Sequence, residues 1–139
     1  MRIVLDSNTV FSGVLWKGPP HQLLLALRQR EDITLFTSPK LLGELFEILA
    51  RPKNAQYLAK VNTTPSQVLA DYMAIASIVD PKVVPRVIAN DPDDDHVIAA
   101  AITANADLII TGDKRHLLAL GSHQGINIVS ARQALDTLG

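Results

Sequence analysis

Cysteine is absent from all 139 residues. That excludes a disulfide framework and a thiolate zinc site, and it agrees with a cytoplasmic setting. No apolar run approaches the roughly 20 residues that span a bilayer, so no membrane partner is expected. The N-terminus offers only Met1-Arg2 before a strand-like run ending in Asp6, which does not read as a signal peptide. Positive charge is also in short supply, with a net charge of −1. Proteins that hold nucleic acid by electrostatics alone are usually basic. Nucleic-acid binding here would need a local basic rim, or metal ions bridging to phosphates. Internal repeats and low-complexity linkers are missing too. The length then fits one domain over residues 1–139. Such a chain buries roughly 68% of its unfolded surface. Its 47% hydrophobic and 19% charged residues are ordinary for a soluble globular protein.

What is present alternates between strand and helix signals. Strands are expected at 2–6, 33–37, 108–111 and 126–129. These runs are apolar on both faces, as in a parallel sheet covered on both sides. Residues 8–18 read as a turn or short helix, and helices are expected at 21–30, 39–51, 55–61 and 65–78. Ser38-Pro39 and Thr64-Pro65 open two of them, each with an N-cap followed by Pro at the first helical position. Thr64 with Gln67 has the spacing of a capping box. Residues 79–90 are punctuated by Pro and have room for a short edge strand. An Ala-rich helix to about Asn105 is expected to be capped by Asp94 or Asp95. A further helix is expected at 114–120, stopped by Gly121, and Ser130 with Gln133 forms a second capping box for the last helix. The fold expected is an α/β/α sandwich around a parallel sheet of four or five strands.

Four acids sit at the junctions of these elements. Asp6 ends the first strand, with Ser7 and Asn8 beside it. Glu44 lies in an amphipathic helix. Asp95 closes the run Asp91-Pro92-Asp93-Asp94-Asp95, and Asp113 follows Leu108-Ile109-Ile110-Thr111. Open α/β sheets build their sites beyond the carboxyl ends of their strands. Carboxylates gathered there, without thiols, call for a hard divalent cation such as Mg²⁺ or Mn²⁺. Two such ions, roughly 3.5–4 Å apart, serve phosphodiester hydrolysis. Each acid also has a structural reading. Asp6, Asp113 and one member of the acidic run can be helix caps. Lys40, Glu44, Glu47 and Arg51 share a helix face and can be solvated ion pairs. The four histidines do not have metal-ligand spacing, although His96 adjoins Asp95 and His116 lies one turn beyond Asp113.

Together these segments resemble the PIN-domain ribonucleases, and most of all the prokaryotic branch that acts as toxins of toxin–antitoxin pairs. Asp6-Ser7-Asn8-Thr9-Val10 is similar to that family's opening motif. Leu41-Leu42-Gly43-Glu44-Leu45 resembles the helix bearing its glutamate. Asp91 to Ala101 resembles the segment of its third acid, and Thr111-Gly112-Asp113-Lys114 its last motif. The resemblance implies Mg²⁺ or Mn²⁺, one ion or two, held by Asp6, Glu44, Asp95 and Asp113. It implies support from Ser7, Asn8 and Thr111, with Asp93 or Asp94 as an auxiliary ligand. Asp95 is preferred to Asp94 for its spacing to Ile98-Ala99-Ala100. Many relatives carry an acid where this chain has His116, which puts a second metal in doubt. The activity implied is cleavage of single-stranded RNA to 5′-phosphate and 3′-hydroxyl products, by a homodimer whose site a cognate antitoxin blocks. Lys114, Arg115, Lys40 and Arg51 are candidates for a phosphate-contacting rim.

Two other classes compete with this one. A PIN-like scaffold that only binds RNA or protein would lack metal affinity. An aspartyl-phosphate phosphatase would use Asp6 as nucleophile, but Asn8 then stands where its general acid belongs. If the acids cluster, Asp6→Asn is expected to leave metal-free stability unchanged or raised, because repulsion is relieved, and to abolish cleavage. Were Asp6 mainly a cap, Asp6→Asn would be nearly neutral for activity and Asp6→Ala would cost about 0.5–2 kcal/mol. Thermal melts and a ribonuclease assay separate the two.

Overall fold

Short strands that are apolar on both faces dictate a sheet covered on both sides. In the computed structural model, which describes residues 1–87 and 92–139, the strands are β1 (Arg2–Leu5), β2 (Thr34–Thr37), β3 (Ala76–Ile78), β4 (Leu108–Ile110), β5 (Ser122–His123) and β6 (Ile126–Val129). They form one sheet in the order β3-β2-β1-β4-β6-β5. Every neighbouring pair is parallel except β5 with β6. Successive side chains of a strand point to opposite faces. Ile3, Leu5, Leu35, Leu108 and Ile110 therefore meet one helical layer: α1 (Ser7–Leu15), α2 (Pro19–Gln29), α3 (Pro39–Leu49), α5 (Pro65–Ile75) and α8 (Ala131–Leu138). Val4, Phe36, Ile109, Ile126 and Ile128 meet the other, α6 (Pro92–Thr103) and α7 (Leu117–Leu120). A short helix, α4 (Ala55–Lys60), follows a 3-10 turn at Pro52–Asn54. The three-layer α/β/α sandwich expected from the sequence is the fold observed.

The caps form where the sequence places them. Ser38 and Thr64 accept the amides of Leu41 and Gln67. Ser130 and Gln133 complete their reciprocal box. The Thr64 box closes on one side only, because the Gln67 side chain donates to Asp71 instead.

Four boundaries differ from expectation. The helix expected to run to 78 ends at Ile75, because Ala76–Ile78 pair with β2 as the edge strand. That strand thus precedes 79–90, of which 88–90 lie outside the described residues. The helix expected over 114–120 keeps only its last turn, since the Asp113 carboxylate takes up the amides of Arg115 and His116 in a preceding turn. The two-residue strand β5 was not expected. Gln124 and Gly125, both at positive φ, turn it back onto β6. Last, neither Asp94 nor Asp95 caps the Ala-rich helix. Both lie inside its first turn with Asp93, where the exposed helical amides favour negative charge.

Small side chains let α6 lie close to the sheet, with Ala99, Ala100, Ala101 and Ala104 all buried. Close approach also fixes the α1–α2 corner. A Cβ on Gly13 would stand 2.9 Å from the Pro20 carbonyl and 2.5 Å from Leu24. The Gly13 carbonyl in turn accepts from His21 Nδ1 at 2.8 Å. Gly13→Ala is expected to destabilise the protein by about 1–3 kcal/mol through overpacking, read from urea denaturation midpoints.

Candidate metal centre

Strand register brings the first two groups together. Leu5 of β1 lies opposite Ile110 of β4, so the next residues, Asp6 and Thr111, emerge side by side at the carboxyl ends of the strands. Asp6 caps α1, its Oδ1 accepting the Thr9 amide at 2.9 Å. Its Oδ2 accepts from the Thr111 hydroxyl. The same hydroxyl oxygen accepts the Asp113 amide at 3.0 Å. Asp6 is therefore both the cap of α1 and part of the wall of a cleft. Burial pushes its carboxyl above the usual range. The Thr111 and Thr9 hydrogen bonds oppose this, and the charge of Asp113 adds to it.

The first turn of α6 supplies the next acid. Asp94, Asp113 and His116 each offer a ligand atom within 4.8 Å of the others. His116 Nδ1 stands 3.6 Å from Asp94 and 3.4 Å from Asp113. Asp113 is held below its ordinary value, first by a hydrogen bond with Asp94, then by the His116 and Arg115 amides and the His116 charge. Two carboxylates share a hydrogen bond only with a proton between them. That position suits a cation equally well.

Asp6, Asn8, Asp94, Thr111, Asp113 and His116 line one cleft of about 670 Å³. A smaller cavity of about 180 Å³ adjoins it, and Asp6, Asn8 and Asp94 line both. Glu44, Asp93 and Arg51 line the smaller one only. Glu44 thus faces the acids rather than pairing along its own helix. Its carboxyl is pushed up to about 7, first by burial, then by the charge and hydrogen bond of Asp93, with Lys40 opposing. The Asp93 contact is a hydrogen bond only when a proton is present, so the ionised Glu44 Oε1 is buried without a donor.

The other sequence candidates fall in different places. Asp95 is buried but lines neither cavity. Its Oδ1 accepts the Val87 amide at 2.9 Å. Adjacent helical residues are rotated by about 100°, and here Asp94 is turned to the two cavities while Asp95 is turned to Val87. Of the two, it is Asp94 that lines the large cleft. Ser7 lines the smaller cavity, yet its hydroxyl is used to tie α1 to the Leu41 carbonyl at 3.1 Å. Lys40, Lys114 and Arg115 are exposed and line neither cavity. Arg132, at the start of α8, lines the large cleft and was missed. The available signal was the Ser130 capping box, which starts a helix at the carboxyl end of β6.

The donor set fits a hard divalent cation. Carboxylate oxygens dominate, one imidazole is within reach, and a buried Glu44 oxygen has no donor.

A mostly parallel sandwich with acids gathered at the β1 and β4 ends defines the class of protein. The family model described as PIN domain matches residues 2–115. The chain belongs to that family. An uncharacterized protein of Methanocaldococcus jannaschii, MJ1680, is 30% identical over 114 residues, covering 82% of this chain and 72% of that protein. The structure of VapBC2 from Rickettsia felis bound to a DNA fragment from its promoter shares the fold. Its TM-score is 0.65 and its identity 14%, over 94% of this chain and 98% of that one.

Glu44 gives a pH-dependent test. Its folded value of about 7 lies above the ordinary 4.5, so the native state binds more protons than the unfolded chain between these values. Glu44 thus lowers stability progressively as pH rises through that window. Glu44→Gln is expected to raise the melting temperature of metal-free protein above pH 7 and to change it little below pH 4.5. Melts at both ends of the window check the sign.

Proposed function

We propose that this chain is a Mg²⁺- or Mn²⁺-dependent endoribonuclease that hydrolyses phosphodiester bonds in single-stranded RNA. The observation that carries the reading is the convergence of Asp6, Asp94, Asp113 and His116 in one cleft at the strand ends. Membership of the PIN domain family supports it.

In this reading Asp94, Asp113 and His116, with Asp6 beside them, hold the cation. Glu44 and Asp93 hold or orient a second one across the shared wall. Such an ion supplies a water activated at neutral pH and stabilises charge on the leaving oxygen. The protein's own groups do the positioning. Thr111 and the Thr9 amide fix Asp6, and the Arg115 and His116 amides fix Asp113. Asp95 acts as a positioning residue that anchors the start of α6 to Val87. Arg132 and Arg51 line the two cavities and are placed to meet phosphate; Lys40, Lys114 and Arg115 stand farther out on the rim. The products then carry a 5′-phosphate and a 3′-hydroxyl.

The motif resemblance further supports a toxin with a cognate antitoxin partner, working as a homodimer in the cytoplasm. Among the described residues, no helix is long and apolar enough to cross a membrane.

The test is a ribonuclease assay with Mg²⁺, Mn²⁺ and chelator. Asp94→Asn and Asp113→Asn are expected to lose at least about 100-fold in activity, the upper end of what groups behind a metal's ligands cost. Asp95→Asn retains an acceptor for Val87 and is expected to keep most of its activity. Equal loss in Asp94→Asn and Asp95→Asn would return the role to Asp95. Absence of both cleavage and calorimetric Mn²⁺ binding would leave a non-catalytic scaffold.

A further inference from the structure

Acidic residues are unevenly distributed along the chain. None occurs from Ser7 to Arg30, and none from Ile48 to Ala70. These two segments meet in space. Trp16, just past the end of α1, packs edge-on against Phe11 at 5.5 Å and against Tyr57 of α4 at 5.9 Å. Both Trp16 and Tyr57 remain exposed, at 49% and 37%. One cation lies at the rings and two more are close in sequence. Lys17 follows Trp16, Lys60 Nζ lies 6.0 Å from the Tyr57 ring centre, and Arg51 lines the small cavity four residues before α4. Trp16 also follows the cleft-lining part of α1 by one helical turn. Asn8 and Ser12 line the cleft, and the Trp16 amide donates to the Ser12 carbonyl at 3.0 Å. From Asn8 to Trp16 is about 12 Å along α1.

Exposed aromatic rings carried by two acid-free segments, with a lysine at one ring, suit one occupant. A single strand of RNA presents unstacked bases to the rings and phosphates to the cations. A helix of an acidic partner, which Trp and Tyr can also anchor, is the competing occupant; the position of Trp16 one turn beyond the cleft-lining Ser12 favours the RNA. We infer that Trp16 and Tyr57 form a base-stacking platform that receives single-stranded RNA leaving the acidic cleft, with Lys17, Lys60 and Arg51 on its phosphates. This rests on the nuclease reading for its substrate, and it explains how a chain without net positive charge holds a polyanion. The acids bind through cations at one end of the track, and the acid-free segments bind directly at the other.

Trp16 is the only tryptophan, so its emission reports on the platform alone. The experiment titrates the full chain in EDTA with a short oligo-uridine, which removes cleavage from the readout, and repeats it with inorganic polyphosphate, which has charge but no bases. Quenching by oligo-uridine and not by polyphosphate is expected. Tyr57→Ala is expected to weaken the midpoint by about 10-fold, while Tyr57→Phe retains it and Lys60→Ala weakens it at low salt. Circular dichroism of each variant confirms folding. Unchanged emission, equal quenching by polyphosphate, or an unaltered midpoint in both folded Tyr57→Ala and Lys60→Ala would overturn the platform and leave the rings as a protein-contact surface. The two readings fail separately. Quenching without metal-dependent cleavage sinks the nuclease and keeps the platform, and cleavage without quenching does the reverse.

Discussion

A single hydroxyl group stands between acids from opposite ends of the chain. Thr111 donates to the Asp6 carboxylate and accepts the Asp113 amide. It can do both only because β1 and β4 run parallel and in register, Leu5 against Ile110. An antiparallel pair would put these strand ends on opposite edges of the sheet. Parallel pairing in turn needs helical crossovers and burial of both faces. The two hydrophobic layers on either side of Ile3-Val4-Leu5 and Leu108-Ile109-Ile110 therefore bear directly on the position of two carboxylates.

The helices bring the remaining acids to that junction. Ala-rich α6 lies close to the sheet and presents Asp94 to the cleft. Asp95 anchors the start of the same helix to Val87. Ser7 links α1 to α3 through the Leu41 carbonyl, which sets the helix bearing Glu44 against the same wall. The result is electrostatically costly without a cation. Asp6 and Glu44 are both pushed towards the protonated form, chiefly by burial. Acids gather at this junction and are absent from α1, α2 and α4. Near-neutral net charge thus conceals an uneven distribution, with a cluster of acids at the cleft and none from Ser7 to Arg30 or from Ile48 to Ala70.

Local signals in the sequence identified most of the framework. Ser38, Thr64 and Ser130 cap helices because an N-cap needs only its own side chain and amides a few residues on. The strands at Ile3, Leu35, Leu108 and Ile128 are legible because burial demands short runs rich in apolar residues. Asp6 and Asp113 were found for the same reason: each directly follows such a run, and strand ends are where α/β sheets build sites. Glu44 was ambiguous, since Lys40, Glu47 and Arg51 share its helix face and a solvated ion-pair row accounts for that spacing as well.

Tertiary structure decided what depends on rotation and on distant neighbours. Three consecutive acids begin α6, and their spacing does not say which one faces the cleft. That follows from how the helix is turned against the sheet, and at about 100° per residue it selects Asp94 and sends Asp95 to Val87. The edge strand at Ala76 forms because β2 offers a free side, a fact held by residues some forty positions earlier. Arg132 reaches the cleft, and Trp16 meets Tyr57, only once the layers are stacked. The sequence by itself determined the elements and the order of the acids, because hydrophobic periodicity and capping act over a few residues. Packing determined which side chains share a pocket, because that is set by contacts between segments that local patterns do not relate.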